Sequence, residues 1–231
     1  MRVAAASEHD RHIAEMFDRV SPRYDRLNRV LSFGTDVSWR RRAIALARLG
    51  PDGRAVDVGA GTGDLTFALE RSSAPSALVI AADLSKGMLD VAKRRGRVRA
   101  VIASAGALPF GDASLDRVIS GFTVRNIGDL SRGFREFRRV LRPGGRAVIL
   151  ELSHPSGRVF PSLYRLYFEC IAPRIAVLFG GDADAYRYLP LSLRRFPAAD
   201  ALAVLLRDAG FARVRFERLT LGIAAIHVAE A

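Results

Sequence analysis

The stretch VDVGAGTGDL, Val56 to Leu65, constrains the fold more than any other part of the chain. An apolar run enters three glycines at alternate positions, Gly59, Gly61 and Gly63, and a helix-like segment leaves them. A short apolar run, a glycine turn and then helical spacing describe a buried strand feeding a helix. Glycine is required where the backbone takes positive φ or comes close to another group. The stretch therefore raises the question of which ligand needs so bare a turn.

The same rhythm extends along the chain. RAVDVGAG, ALVIAADLS, VRAVIASAGALPF, LDRVISGF and RAVILELS read as five strands, with DLTFALERSS, KGMLDVAKRRG and LSRGFREFRRVL as helices between them. RPGG reads as a tight turn ahead of the fifth strand. DALAVLLRDAGF restores a helix near the end, and ARVRFERLT and GIAAIHVAEA read as two closing strands. Upstream, residues 9–31 have helical spacing with Ile13, Phe17 and Val20 on one side, broken by SPRYD at Pro22. VSWRRRAIALARL is a further helix, stopped by Gly50-Pro51. Strand and helix in alternation predict an α/β fold with an open, mostly parallel sheet and helices on both faces. One domain spanning 1–231 is expected, with an N-terminal helical cover over 9–50 and an inserted substrate cover over 154–197, where aromatics and prolines gather and the rhythm lapses.

In such sheets ligands sit at the C-terminal strand ends, where strand order reverses. A dinucleotide fingerprint would need glycine at position 64, which is Asp64, and no Gly-Lys-Ser/Thr follows to make a P-loop. Asp83 ends the second strand, 24 residues after Gly59, where a carboxylate can accept both ribose hydroxyls. Met88, Leu89 and Leu108 can enclose a single adenine ring. Asp57, inside the first strand, offers a carboxylate to an ammonium group. A nucleoside with an amino-acid tail and no pyrophosphate, S-adenosyl-L-methionine, matches this set.

Arg125 and Asn126 follow the fourth strand, at the edge where a second substrate would lie. Guanidinium stays protonated, so Arg125 is read as stabilising negative charge that develops on that substrate (a phenolate, if the acceptor is the quinol that the resemblance below implies), with Asn126 orienting a water or the substrate oxygen. Tyr24 and Asp25 in the N-terminal cover are second candidates, Asp25 as proton acceptor. His154 and His227, near strand ends, read first as structural residues. Cys170 is the one cysteine, and the four histidines show no ligand spacing, so neither a disulfide nor a metal site is expected.

The net charge of +12 admits two anionic partners, nucleic acid and a membrane surface. Only Lys86 and Lys93 are lysines, and an arginine skew of this kind also follows from a GC-rich gene. The region after the fourth strand reads GFTVRNI rather than the Asn/Asp-Pro-Pro-aromatic set of amino-methylating nucleic-acid enzymes. No nucleic-acid partner is therefore expected. FPSLYRLYFECIAPRIAVLF, residues 160–179, is interrupted by Arg165, Glu169, Arg174 and two prolines, which suits a cover over an apolar ligand better than a spanning helix. The arginines at 40–42 and KRRGRVR at 93–99 could touch anionic head groups. The N-terminus lacks a signal peptide's apolar region, so the expected location is cytoplasmic, at the inner face of the membrane.

MFDRVSPRYDRLNRVLSFGTDVSWRRRAI, VDVGAGTGDLT, DLSKGML, LPFGDASLDRVISGFTVRNI, RVLRPGGRAVILELSHP, YRYLPLSLRRFP and GIAAIHVA occur in that order. On these residues, spanning about 13–229, the chain resembles the ubiquinone/menaquinone biosynthesis C-methyltransferase family. The resemblance implies a class I S-adenosylmethionine-dependent methyltransferase fold, Rossmann-like and seven-stranded, mostly parallel with an antiparallel last strand. It implies C-methylation of a prenylated naphthoquinol, reduced demethylmenaquinone. A benzoquinol, another small aromatic acceptor (at carbon or oxygen) and a non-catalytic cofactor-binding subunit stand as alternatives. Carried over, Thr62 contacts the cofactor at the turn, Asp83 the ribose, Leu84 and Met88 its surroundings, and Ser104 and Ala105 the adenine, with Gly121 beside them. Three positions depart from the family pattern. Ser104 stands where many members have Asp or Asn, Gly121 where some have serine, and Thr123 where FGLRNV has glycine.

Overall fold

The structure, a computed structural model, describes residues 7–21, 24–155, 174 and 183–231. Three helices open the described chain: α1 (Glu8–Val20), α2 (Tyr24–Leu31) and α3 (Thr35–Ala47). The alternating part follows, with β1 (Arg54–Val58), α4 (Asp64–Arg71), β2 (Leu78–Asp83), α5 (Lys86–Arg95) and β3 (Arg99–Ile102). Next come β4 (Leu115–Gly121), a 3-10 turn (Val124–Asn126), α6 (Leu130–Val140) and β5 (Leu141–Leu152). The chain ends with α7 (Ala183–Arg195), α8 (Ala199–Asp208), β6 (Arg213–Leu219) and β7 (Ala224–Glu230).

The strands form one seven-stranded sheet in the order β3-β2-β1-β4-β5-β7-β6. The first five are parallel, and β7 runs antiparallel to both β5 and β6. The chain steps outward from β1 through β2 to β3, then returns to place β4 on the other side of β1. The order thus reverses between β1 and β4, and a crevice opens above their C-terminal ends.

Side-chain alternation sorts the sheet's two faces. Val56, Val58, Val118 and Ile149 join a core cluster with Phe134 and Phe137 of α6 and Leu202 and Leu206 of α8. Ala55, Ile119, Val148 and Leu150 point the other way, onto Trp39 and Ile44 of α3 and Leu65 and Leu69 of α4. Period two within the strands and two helical layers outside them produce this division.

RPGG is not a turn ahead of a strand. It lies within β5, where Leu141 pairs with Leu115 and Arg146 with Arg117, so the register breaks between them. Gly144 takes φ +75°. The irregular backbone is held by Gly144 N–H to the Ala231 carbonyl at 3.1 Å and Ala231 N–H to the Gly145 carbonyl at 2.9 Å. Arg142 pairs with Asp116 at the same break.

The cover helices have local reasons to form. Ser7 and Asp10 make a reciprocal capping box at the start of α1, which buries Ile13, Met16 and Val20. Phe33 and Gly34, both at positive φ, turn the chain from α2 into α3. Residues 160–179, read from sequence as an apolar cover, lie outside the described residues apart from Arg174. The two ends of the 154–197 segment meet, with His154 Nε2 bonded to the Phe196 carbonyl at 2.8 Å.

Candidate functional site

Gly59, Gly61 and Gly63 all take positive φ, at +69°, +57° and +89°. The amides of Gly59 and Ala60 donate to the Ala82 carbonyl at 2.7 and 3.1 Å, which stitches the turn to β2. A Cβ on Gly59 would lie 2.1 Å from the Thr123 side chain, so that glycine permits close approach of the loop after β4. A Cβ on Gly61 would meet nothing within 4 Å. Gly61 N–H donates to Asp83 Oδ2 at 2.7 Å, and Ser85 N–H to Asp83 Oδ1 at 2.8 Å. Asp83 is thereby fixed beside the turn, and each oxygen keeps a lone pair for a further donor.

These loops wall a cavity of about 840 Å³, counting the part open to solvent. Val58 through Thr62 form one side, and Asp83, Leu84 and Met88 the next. Ala103, Ser104 and Ala105 follow β3, while Gly121, Phe122, Thr123 and Asn126 follow β4. The cover closes over them with Asp10, Ile13 and Phe17 of α1, Asp25 of α2 and Arg40 of α3.

Three carboxylates of the cover grip three successive loops. Asp10 Oδ2 accepts from Ser104 Oγ at 3.0 Å, at the end of β3. Asp18 Oδ1 accepts from Ser85 Oγ at 2.5 Å and Gly87 N–H at 2.8 Å, after β2. Asp25 Oδ1 accepts from Thr62 Oγ1 at 2.6 Å, in the turn after β1. Arg95 locks the last of these by pairing with Asp25 at 3.0 Å and Asp64 at 2.7 Å.

Burial sets the titration of the carboxylates. Asp57 is 1 % exposed, and desolvation pushes it up to about 7 against the hydrogen bond from Thr66. Desolvation also raises Asp83, opposed by the amides of Ser85 and Gly61. Asp25 is raised by burial, with Thr62 and Arg95 pulling the other way. Burial would raise Asp64 too, but Arg40 and Arg95 outweigh it and hold it below the usual carboxylate range.

The ubiE/COQ5 methyltransferase family matches residues 5–231. The chain belongs to the ubiE/COQ5 methyltransferase family. The demethylmenaquinone methyltransferase of Thermus thermophilus is 46% identical over 220 residues, covering 93% of this chain and 99% of the relative. That of Deinococcus radiodurans is 43% identical, covering 94% of this chain and 92% of the relative. The ubiquinone/menaquinone biosynthesis C-methyltransferase UbiE of Geobacter sulfurreducens is 40% identical, covering 97% and 90%. Among solved structures, a SAM-dependent methyltransferase from Thermotoga maritima superposes with a TM-score of 0.70 at 22% identity, covering 95% of this chain and 99% of that one. The Haemonchus contortus phosphoethanolamine N-methyltransferase 2, solved with S-adenosylhomocysteine, gives 0.60 at 17% identity, covering 80% and 50%. These two show the class I methyltransferase fold.

Most residues singled out from the sequence meet in the one cavity: Gly59, Gly61, Thr62, Asp83, Leu84, Met88, Ser104, Ala105, Gly121, Asn126 and Asp25. Two do not line it. Asp57 points beneath the turn, where its Oδ2 accepts from Thr66 Oγ1 of α4 at 2.7 Å. Alternation along β1 puts Asp57 on the face of Ala55, away from Val58. Arg125 is also withdrawn. Its Nη1 donates to Glu151 Oε1 and to the Phe122 carbonyl, both at 2.7 Å, because a carboxylate 1 % exposed requires a counter-charge. Arg125 thus lies off the cavity lining, paired with Glu151, next to Asn126 in the turn after β4. The side chain of Tyr24 lies outside the described residues. His227 is buried, with Nε2 bonded to the Ala199 carbonyl and its ring stacked on Phe216, and His154 is spent on Phe196.

Two family departures acquire a structural account. A Cβ on Gly121 would come within 2.5 Å of Leu65, so this chain has filled the space a serine would use. Thr123 occupies the space above Gly59 and donates to its carbonyl at 3.1 Å. Sequence reasoning missed Asp10, Asp18, Arg40, Asp64, Arg95 and Glu151. The signal available was a series of acids at 10, 18 and 25, each roughly two helical turns from the next, in a segment with a clear apolar face.

Proposed function

We propose that this protein transfers a methyl group from S-adenosyl-L-methionine to a ring carbon of a prenylated naphthoquinol, demethylmenaquinol, giving menaquinol. The observation that carries the reading is one continuous cavity. It runs from the ribose-type carboxylate of Asp83 across the glycine turn to Asn126, in a chain 46% identical to a demethylmenaquinone methyltransferase.

The residues present fit this cofactor. Two buried oxygens, Asp57 Oδ1 beneath the turn and Asn126 Oδ1 in the turn after β4, have no hydrogen-bond partner among the described residues. Orphaned buried acceptors are costly unless a ligand or water satisfies them. Gly61 leaves open space, and Asp83 keeps lone pairs for a diol. The cofactor, when bound, supplies a methyl carried on a positive sulfur. Asp83 would hold the ribose, and the turn backbone would admit the amino-acid tail. Asp57 sits below as a buried acid that an ammonium group would favour in its charged form.

On the acceptor side Asn126 does the orienting. Its Oδ1 can take the proton of a ring hydroxyl in a hydrogen bond, which raises electron density at the adjacent ring carbon. Its backbone carbonyl is bonded by His9 Nε2 at 2.9 Å, and its backbone N–H donates to the Thr123 carbonyl at 2.9 Å, so the backbone that carries the side chain is held from both directions. Arg125 and Glu151 hold the 3-10 turn from behind. Asp25, on the cavity wall with its affinity for protons raised, would accept the hydroxyl proton and return it as the methylated ring carbon loses its own hydrogen, so that menaquinol, S-adenosylhomocysteine and one proton are the products.

The whole chain serves as one methyltransferase domain in this reading, with 9–50 as the helical cover and 154–197 as the substrate cover. No helix among the described residues is long and apolar enough to cross a membrane. A prenyl tail nevertheless draws the substrate from a bilayer. Exposed Arg41, Lys93 and Arg94 would meet anionic head groups at about 1 kcal/mol each near the surface. The expected working position is the cytoplasmic face. Methyl transfer from labelled S-adenosylmethionine should be measured to reduced demethylmenaquinone, a benzoquinol analogue and bulk RNA. Label in the naphthoquinol supports the reading. Label only in the benzoquinol or in RNA overturns it.

A further inference from the structure

One end of the cavity lies between α1 and the loop after β3. Ile13 and Ala14 of α1 line it together with Met88, Ala103 and Ala105, an apolar lining suited to an aromatic ring. Its polar groups are Ser104 Oγ and the carboxylate of Asp10. Ser104 has a single proton, directed to Asp10 Oδ2 at 3.0 Å, and it already accepts Gly106 N–H at 3.2 Å. The hydroxyl is therefore occupied as a donor and half occupied as an acceptor. Asp10 is different. Its Oδ2 takes Ser104 and, at 3.4 Å, Ser7 N–H, while an ionised carboxylate has about four acceptor positions. Asp10 lines the cavity from the cover and brings there the negative acceptor that position 104 lacks.

We propose that Asp10 reads the exocyclic amino group of the cofactor's adenine, with Ser104 serving as the post that aims it. The specificity for an amino group over a carbonyl then resides in the N-terminal helix rather than in the loop after β3. The inference rests on the cavity being the S-adenosylmethionine site.

The test compares S-adenosylhomocysteine with S-inosylhomocysteine, which carries a carbonyl oxygen in place of the amino group, by calorimetric titration of the full chain. A site built around one hydrogen bond rejects the analogue that cannot make it. The wild type should prefer the adenosyl ligand by roughly 100-fold, the scale of one hydrogen bond to a charged group. Asp10→Ala should lose most of that preference by weakening the adenosyl ligand alone. Asp10→Asn, which can still cap α1 and can donate to a carbonyl, should narrow or reverse it, and it serves if the alanine variant fails to fold. Equal weakening of both ligands, with the ratio unchanged, would mean that Asp10 is only a helix cap and would overturn the inference while leaving the cofactor site standing. Failure of the wild type to bind either ligand would remove both.

Discussion

Arg95 lies against Thr62, its Nη1 donating to the threonine carbonyl at 2.9 Å and to the hydroxyl at 3.0 Å. The same guanidinium reaches Asp25 of the cover and Asp64 at the start of α4. One side chain thus joins the glycine turn, the following helix and α2. A planar fork of donors is what such a junction requires, and an ammonium group would satisfy only part of it.

Arg95→Ala should release α2 from the turn. Hydrogen exchange at residues 24–31 should accelerate, and the KM for S-adenosylmethionine should rise about tenfold for loss of a charge-assisted contact set. Arg95→Lys should recover little of it. Unchanged exchange in α2 would show that the cover is held by its apolar face instead.

The buried Asp57 makes stability depend on pH. Its folded value of about 7 stands above the unfolded 3.8, so between these values the folded state binds more protons. Its contribution is fully present below about pH 4 and is lost as pH rises toward 7. Asp57→Asn should remove this loss. Urea midpoints taken every half unit from pH 4 to 8 should show the wild type falling relative to the variant, by a few kcal/mol at order of magnitude. Parallel curves would place the titration elsewhere.

Arg125 and Asn126 are neighbours with separable roles. Arg125→Ala leaves Glu151 buried and uncompensated, which should cost about 3–5 kcal/mol of folding stability. Replacing both, Arg125→Met with Glu151→Leu, should cost much less. Denaturant unfolding of the two variants decides it: equal losses would mean that the ion pair is not the stabilising element.

Asn126→Ala should instead spare stability and cofactor affinity. The expected change is a fall in kcat on the order of 100-fold, the scale for removing one orienting polar group at a reacting centre. Stopped-assay kinetics with saturating S-adenosylmethionine read it directly. A raised cofactor Kd with unchanged kcat would move Asn126 to the cofactor side.

The parts that were legible in the sequence are those with local causes. The turn from β1 to α4 is readable because positive φ at three positions demands glycine, and Asp83 is readable because it ends the next parallel strand. Alternation on β1 also contained the placement of Asp57, since a residue between Val56 and Val58, which share the face packed on α6, must point the other way. RPGG misled because a turn composition also suits a register break in a strand, and only pairing with Ala231 distinguishes the two. The grip of Asp10 on Ser104 spans 94 residues, and that of Asp18 on Ser85 spans 67. No spacing rule connects positions so far apart. Arg125 looked like a substrate contact because its loop was correctly placed, but the buried Glu151 that claims it sits on another strand.

The central claim is methyl transfer to carbon. The most direct measurement is carbon NMR of the product formed from demethylmenaquinol and S-adenosylmethionine carrying a carbon-13 methyl. A labelled methyl in the aromatic-carbon-bound region, coupled to no oxygen-bearing shift, is the result this account predicts. A labelled methoxy signal would contradict it and make the protein an O-methyltransferase on the same scaffold.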